Sequence, residues 1–277
     1  MSRKDGKRVR KIDSTHKIMP YLMANRTEAE VYIIEKINIT NLIKYLEEEN
    51  KKSDYKITLF HAVITALAKT IYNRPLLNRF IAGRRYYDRY DVSFGFVAKN
   101  KLNDKSEERL IILNTKEKMN IKDISKKVYS KVQKTREENT NEMNDTLGIV
   151  TDFPRCITSL IMWAFRKLDF YGLVPQSISK TDPNYTSVLI SNLGSIGSDC
   201  CYHHLNNYGT NSIVSTIGII TEENGEKYVN ISFTLDERIA DGFYFAKSVK
   251  LFKYILENPE LLEDKLKEEV TIKDEKK

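Results

Sequence analysis

Cysteine is scarce in this chain, which has three cysteines among 277 residues. An odd number in so long a chain does not provide a disulfide framework, and it is typical of proteins in a reducing compartment. The sequence therefore predicts a cytoplasmic protein that is stabilised by its packed core rather than by cross-links.

Long apolar runs are also missing. The longest uncharged, mostly apolar run in the middle of the chain is CITSLIMWAF at 156–165, about half of what a bilayer-spanning helix needs. The N-terminus begins MSRKDGKRVRK and lacks the apolar segment of a secretory signal. These absences predict a soluble protein and argue against a membrane partner.

Neither an internal repeat nor a low-complexity linker divides the chain, and 41% of its residues are hydrophobic. We expect one domain over 15–268, between a basic, disordered tail at 1–14 and a charged tail at 269–277. The net charge is +7. Because basic residues are dense only at the N-terminus, we expect no nucleic-acid binding beyond weak binding by that tail.

Strands and helices succeed one another in the first part of the chain. EAEVYIIEKINI at 28–39 predicts a strand, and Thr40 is placed to cap the helix that follows it. Thr58 is placed to cap a second, more apolar helix that ends before Pro75. His61 lies in that helix, where we expect a hydrogen-bonded core residue.

Further strands are predicted at RRYYDRY, VSFGFVA, RLIILN, SVLISN, SIVSTIGII and KYVNISFTL, with helices over 121–138 and 243–257. Asn224-Gly225 predicts a hairpin between the last two strands. Together these elements favour an α/β fold with a mixed sheet covered by helices. Ten strand residues are expected in its core, against helices 58–73 and 243–257: Val92, Phe94, Phe96, Val188, Ile190, Ile213, Ile217, Val229, Ile231 and Phe233.

A helical insert is expected over about 145–183. Asp152 and Pro154 are suited to start its helix. One side of that helix is apolar, and we expect this side to pack on the domain: Ile157, Leu160, Ile161, Ala164, Phe165 and Leu168.

The segment CCYHH at 200–204 contains residue types that bind zinc. Adjacent side chains on a strand point to opposite faces, and the chain offers no second Cys/His pair. The segment is therefore expected to form a surface loop without a metal.

Three segments together resemble a known family. LDERIADGF at 235–243 is similar to a His-x-x-x-Asp-Gly signature that follows a strand, and SVLISNLGSIG at 187–197 is similar to a Ser-Asn-Leu-Gly segment. The third is the succession of strand and helices over 28–74. They resemble the trimeric acyltransferases that include chloramphenicol acetyltransferase and the catalytic domain of the dihydrolipoyl acyltransferases.

This resemblance implies a two-layer sandwich of sheet and helices that forms a homotrimer, binds coenzyme A between subunits and acylates a small-molecule acceptor. It places Glu237 where the family has its general-base histidine. It also implies that the Ser191 hydroxyl stabilises the oxyanion, that Asp241 is a structural carboxylate with Arg26 as its partner, and that Gly242 allows the turn. Arg238 is implied as a further structural arginine, and Asn192 and Gly194 as contacts of coenzyme A.

Glutamate in place of histidine leaves the activity open. Imidazole is largely neutral near pH 7 and still accepts a proton, whereas a solvated glutamate is a base weaker by roughly two pKa units. Burial can raise the pKa of a glutamate, whereas the neighbouring Arg238 can hold the pKa of Glu237 low. The chain is therefore either an acyltransferase with Glu237 as base or a family member without catalysis that binds a ligand or acts as a scaffold. A third alternative is a site rebuilt elsewhere. His203 and His204 are also candidates to lean into the position of the missing histidine, although a surface loop is the expected role of their segment.

Overall fold

The computed structural model describes residues 3–99, 108–137 and 150–272. Its helices are α1 (Ser14–Leu22), α2 (Thr40–Asn50), α3 (Leu59–Asn73), α4 (Ile121–Glu137), α5 (Arg155–Tyr171), α6 (Gln176–Ser179) and α7 (Gly242–Glu257). Its strands are β1 (Gly6–Arg8), β2 (Glu30–Asn38), β3 (Arg79–Ala82), β4 (Arg85–Arg89), β5 (Val92–Lys99), β6 (Glu108–Thr115), β7 (Val188–Asn192), β8 (Ile213–Glu223) and β9 (Glu226–Asp236).

Within these residues, six strands form a mixed sheet in the order β2-β9-β8-β7-β5-β6. Strand β7 runs parallel to both β5 and β8, and the other neighbours are antiparallel. Asn224 and Gly225 turn the β8–β9 hairpin with φ angles of 52° and 80°, as two-residue hairpin turns require. The predicted α/β fold with a mixed sheet is confirmed.

Helices α2, α3, α4 and α7 contribute to one core with one face of this sheet. All ten core residues expected from the alternation are buried. The central helix α3 is buried at every position from His61 to Ile71. Its buried residues include a polar stripe at four-residue spacing, His61, Thr65 and Lys69, so the helix is enclosed on its polar side as well as on its apolar side. Thr58 is its N-cap, as predicted.

His61 lies in the first turn of α3, and its ring nitrogen Nδ1 accepts a hydrogen bond of 3.3 Å from the Thr58 amide. Burial lowers the pKa of His61 to about 4. Protonation would remove this acceptor and place a charge in the core, so the ring is neutral in the folded protein at neutral pH.

The folded-state pKa of His61 lies below that of an unfolded histidine, so the unfolded chain binds the proton more readily between about pH 6.5 and pH 4. We expect the free energy of unfolding to fall by up to about 3 kcal/mol across this window. His61→Gln keeps an acceptor at this position. Its free energy of unfolding, measured with urea at pH 7 and at pH 5, should lack the loss that His61 causes. Exposed His204→Gln is the control, and an unchanged pH dependence in His61→Gln would contradict the prediction.

Both predicted tails differ from the structure where it describes them. Strand β1 pairs with β4 in a second sheet of order β1-β4-β3, and the side chain of Arg3 is buried. The prediction of a disordered tail is therefore wrong for these residues. At the other end, Val270 packs against the core and Ile272 is buried, so the domain extends beyond 268.

Thr40 is not the cap of α2. Ile39 holds the cap position, and Thr40 Oγ1 accepts a hydrogen bond of 2.8 Å from the Lys227 amide. The hydroxyl therefore ties the start of α2 to β9 instead of satisfying its own helix.

The insert contains the predicted helix, α5, but its apolar side does not pack as expected. Asp169 is the buried residue of α5, while Leu160 and Trp163 are 63% and 59% exposed. Residues 145–149 lie outside the described part of the chain.

Among the described residues, no helix is long and apolar enough to cross a membrane.

Candidate functional site

The charges at the end of β9 are arranged as one buried ion pair and one separate carboxylate. Arg238 donates from Nε and Nη2 to the two oxygens of Asp236, at 2.7 Å each. Both side chains are nearly inaccessible, with exposures of 2% and 0%. Arg238 also donates to the Met23 carbonyl at 2.8 Å. Arg238 therefore pairs with Asp236 rather than with Glu237, and the Asp236–Arg238 pair anchors the chain after α1.

Breaking this pair should cost far more than breaking an exposed one. Asp236→Asn leaves Arg238 buried without a counter-charge, and we expect a loss of about 3–5 kcal/mol in the free energy of unfolding. Glu223→Gln makes the same kind of change at the half-exposed pair with Lys36, where about 0–1 kcal/mol is expected. Equal losses in urea unfolding would show that the Asp236 pair does not anchor this turn.

Glu237 is half-buried at the strand end. Its amide donates to the Ala29 carbonyl at 2.9 Å, which fixes the backbone beside β2. Within the described residues its carboxylate has no hydrogen-bond or ion-pair partner, so both oxygens are available to an incoming group.

Asp241 caps helix α7, and its Oδ1 accepts a hydrogen bond of 2.7 Å from the Tyr244 amide. Arg26 is not its partner. The Arg26 guanidinium is buried and donates to the carbonyls of Ile81 and Gly209 at 2.8 and 2.6 Å. Burial lowers the pKa of Arg26, and the charge of Asp236 opposes this effect. The predicted Arg26–Asp241 pair is therefore wrong.

Gly242 is the first residue of α7. Its φ is not positive, and a Cβ added there would meet no atom within 4 Å. The turn therefore does not require glycine within one chain, contrary to the prediction.

Ser191 lies on β7, beside Thr216 of β8, which in turn lies beside Ser232 of β9. The Thr216 and Ser232 hydroxyls are 2.8 Å apart, and Ser232 donates to the Cys201 carbonyl at 2.6 Å. Ser191 is half-buried, and its hydroxyl has no partner among the described residues. Of the three hydroxyl groups in this row, that of Ser191 is therefore the one available to bind an incoming group.

Ser191 and Glu237 do not meet within one chain. The row containing Ser191 crosses β9 at Ser232, which precedes Glu237 by five residues. At about 3.3 Å per residue, this is roughly 16 Å along the strand. Two side chains so far apart cannot act on the same carbonyl group.

Asn192 and Gly194 form the turn after β7. The Asn192 carbonyl accepts a hydrogen bond of 2.7 Å from Ser195 Oγ. A Cβ on Gly194 would lie 2.3 Å from the Gly218 carbonyl oxygen, so this glycine allows the turn to approach β8 closely. Within a single chain, the role of Gly194 is therefore in packing.

The segment Cys200–Leu205 crosses the sheet next to β2. The Tyr202 ring contacts Tyr32 with centroids 5.0 Å apart, and the Leu205 amide donates to Glu30 at 2.5 Å. The rings of His203 and His204 stack on each other at 4.9 Å. Among the described residues, no three His, Cys, Asp or Glu side chains are grouped to hold a metal ion.

A cavity of about 680 Å³ was not anticipated from the sequence. It lies between the N-terminal segment, β5, β6 and residues 172–186. Arg89 in its wall donates to the Tyr185 and Thr210 carbonyls at 2.8 and 2.7 Å, and burial lowers the pKa of Arg89 to about 10. The sequence contained one indication of this buried arginine: Arg89 follows the buried Tyr87 by two residues on β4, so the two side chains lie on the same face of the strand. Neither Ser191 nor Glu237 lines this cavity.

The fold is shared with solved acyltransferases. A probable dihydrolipoamide acetyltransferase from Listeria monocytogenes is 16% identical, with a TM-score of 0.59 over 96% of this chain and 98% of that one. For the dihydrolipoamide acetyltransferase of Azotobacter vinelandii the identity is 14%, the TM-score 0.58 and the coverage 92% and 93%. For chloramphenicol acetyltransferase the corresponding values are 11%, 0.57, 93% and 99%.

At these identities the structures demonstrate the fold, and no curated protein matches this chain. The family itself is shown by a sequence model, that of the 2-oxoacid dehydrogenases acyltransferase (catalytic domain), which matches residues 5–153. This range is more than half of the chain, and it ends before Ser191 and Glu237. The chain belongs to the family of 2-oxoacid dehydrogenase acyltransferase catalytic domains.

Proposed function

We propose that this protein transfers an acyl group from a coenzyme A thioester to a small hydroxyl, thiol or amine acceptor, at a site completed between copies of the chain. The observation that carries the proposal is a pair of side chains without partners among the described residues: Ser191 on β7 and Glu237 directly after β9. Because they lie roughly 16 Å apart along the sheet, the Glu237 of one copy has to meet the Ser191 of another.

Glu237 acts as the general base. Its carboxylate accepts the proton of the acceptor while the acceptor's heteroatom attacks the thioester carbonyl carbon. The resulting oxyanion accepts a hydrogen bond from the Ser191 hydroxyl. Collapse of this intermediate breaks the carbon–sulfur bond, and the departing thiolate takes the proton back from Glu237.

A spacing in the Azotobacter enzyme supports this assignment. That study addressed the roles of a serine, a histidine and an asparagine four residues after the histidine in the catalytic mechanism. In this chain Asp241 follows Glu237 by the same four residues. We assign Asp241 to holding the turn through its cap on α7, and Arg238 to fixing the end of β9 through its pair with Asp236. Arg26 holds the backbone at Ile81 and Gly209. Asn192 and Gly194 are assigned to contact with coenzyme A.

The test is a thiol-release assay with acetyl-coenzyme A and a panel of hydroxyl, amine and dithiol acceptors. Release that depends on one acceptor class supports the proposal and identifies that class. Calorimetry with coenzyme A on the same samples separates binding from turnover. Absence of both binding and thiol release would overturn the proposed function.

The glutamate at position 237 favours a second candidate, a ligand-binding or scaffold protein without catalysis. A solvated carboxylate is a weaker base than imidazole. In this case coenzyme A binds without thiol release, and Glu237→His restores measurable release because Ser191 is retained. A natural protein that already turns over rapidly would eliminate this candidate.

The proposed site requires contacts between copies, and a heterologous contact that closes as a ring completes every site equally. We take the ring to be the homotrimer that the family resemblance implies. Light scattering at micromolar concentration is expected to report about three times the chain mass of 32.3 kDa. A monomer under these conditions would count against any site shared between copies.

A further inference from the structure

Helix α5 exposes an apolar surface that nothing in the described chain covers. Nine large apolar side chains from the helix and its flanks are on average about half exposed: Phe153, Ile157, Leu160, Met162, Trp163, Leu168, Phe170, Tyr171 and Leu173. At roughly 150–250 Å² for each large side chain, they leave on the order of 800 Å² accessible. This is about what one partner contributes to a standard interface.

The two sides of α5 are distinct. At 3.6 residues per turn, Phe170, Trp163, Leu160, Tyr171 and Ile157 fall within about 140° of the circumference. Lys167 lies in the same sector, with its Nζ 5.8 Å from the centre of the Trp163 ring. Its inward side is held by the contact of Phe165 with the Tyr208 ring, at a centroid distance of 5.9 Å, and by Asp169. We call the outward sector the apolar face of α5.

All the exposed charged side chains of α5 are positively charged. Asp169 is its only acidic residue, and both carboxylate oxygens are turned inward, accepting from the Tyr185 hydroxyl at 2.8 Å and the Gly209 amide at 2.9 Å. The exposed cations are Arg155, Arg166 and Lys167. Neither arginine pairs with a carboxylate in the described part of the chain.

This charge pattern argues against one occupant, a second copy related by a two-fold axis. A two-fold contact between copies through α5 would bring its cations together with no α5 carboxylate to pair with them, which is unfavourable. An anionic surface would pair with all of them. A helix with cations beside an aromatic and aliphatic face is the type that lies in a membrane interface.

The apolar surface continues beyond α5. The Phe170 carbonyl lies where Gly83 leaves room for it, and the neighbouring Arg84 guanidinium is 5.0 Å from the Tyr21 ring. Tyr21 and Leu22 of α1 are 56% and 73% exposed. A second exposed helix with apolar side chains therefore lies near the end of α5, with another cation between them.

We infer that α5 docks this protein on the surface of an anionic lipid bilayer. This differs from the expectation of no membrane partner, which was based on the absence of a spanning run and of a secretory signal and not on surface helices. The helix lies in the interface, with the apolar face among the acyl chains and Arg155 and Arg166 beside it at the lipid headgroups. Lys167 starts within the apolar face, and its long side chain carries the ammonium group to the headgroups. This inference is independent of acyl transfer, because it involves none of the residues assigned to that chemistry.

Trp163 makes the inference directly testable, since it is the only tryptophan in the chain. The full chain is mixed with vesicles of phosphatidylcholine, and with vesicles of an equimolar mixture of phosphatidylcholine and phosphatidylglycerol. Binding is followed by co-sedimentation and by Trp163 fluorescence. We expect binding and a blue shift with the anionic vesicles alone, both of them lost in 1 M salt, where the screening length is about 3 Å.

Two variants separate the contributions. Replacing Arg155, Arg166 and Lys167 by glutamine should weaken binding on the order of 100-fold, because each cation near an anionic surface contributes about fivefold. Leu160→Ser with Trp163→Ser should weaken binding by at least about tenfold. The control is Ile219→Ser with Ile220→Ser, which removes two apolar side chains of 37% and 42% exposure at the far end of β8.

Three results would overturn the inference. The first is no binding to anionic vesicles. The second is equal binding by the glutamine variant. The third is Trp163 fluorescence that is blue-shifted and protected from a soluble quencher in the protein alone, since the apolar face would then be covered by another copy.

Discussion

Glu237→Gln is expected to lower the rate of acyl transfer by about 10²–10⁴, the usual contribution of a general base. The amide keeps the size of the side chain but cannot accept the acceptor's proton. Since the Glu237 side chain has no partner among the described residues, stability and assembly should not change. The measurement is thiol release from acetyl-coenzyme A at saturating acceptor, with light scattering on the same sample.

Glu28→Gln is the matched control. It makes the same chemical change at an exposed carboxylate next to Ala29, whose carbonyl accepts the Glu237 amide. It should leave the rate unchanged. Robust turnover that survives Glu237→Gln would show that another residue is the base, with His203 and His204 the first to examine.

Mixing two inactive variants is expected to restore activity. Ser191→Ala should lower the rate by about 10²–10³, the effect of removing one oxyanion donor. When Ser191→Ala and Glu237→Gln chains are unfolded together in equal amounts and refolded, some sites pair an intact Glu237 with an intact Ser191. For random assembly into rings with heterologous contacts, about a quarter of the sites are intact.

Mixed chains should therefore recover about a quarter of the natural rate, which is far above either variant alone. The control is a chain carrying both substitutions, mixed with either single variant, because no intact site can form there. A mixture that stays as inactive as its components, although it forms mixed trimers, would show that the two groups do not act across a subunit contact.

Which polar groups bind to each other could not be predicted from the sequence. The adjacent letters Asp236, Glu237 and Arg238 do not reveal that the outer two bond to each other while the middle one is left alone. That choice depends on which side of β9 each residue faces and on the Met23 carbonyl, more than 200 residues away in the chain. The same holds for Arg26, whose acceptors come from β3 and residue 209.

By itself the sequence determined the elements and the core of the main sheet. Alternation placed Phe94, Phe96 and Ile231 inside, and Asn224-Gly225 formed the predicted hairpin, because these features depend on local periodicity and turn chemistry. Only the tertiary structure decided three further points. It paired the charged strand β1 with β4 through backbone groups, which carry no sequence pattern. It separated Ser191 from Glu237 through strand register. It also left the apolar face of α5 uncovered, since periodicity shows which side of a helix is apolar but not whether anything packs against it.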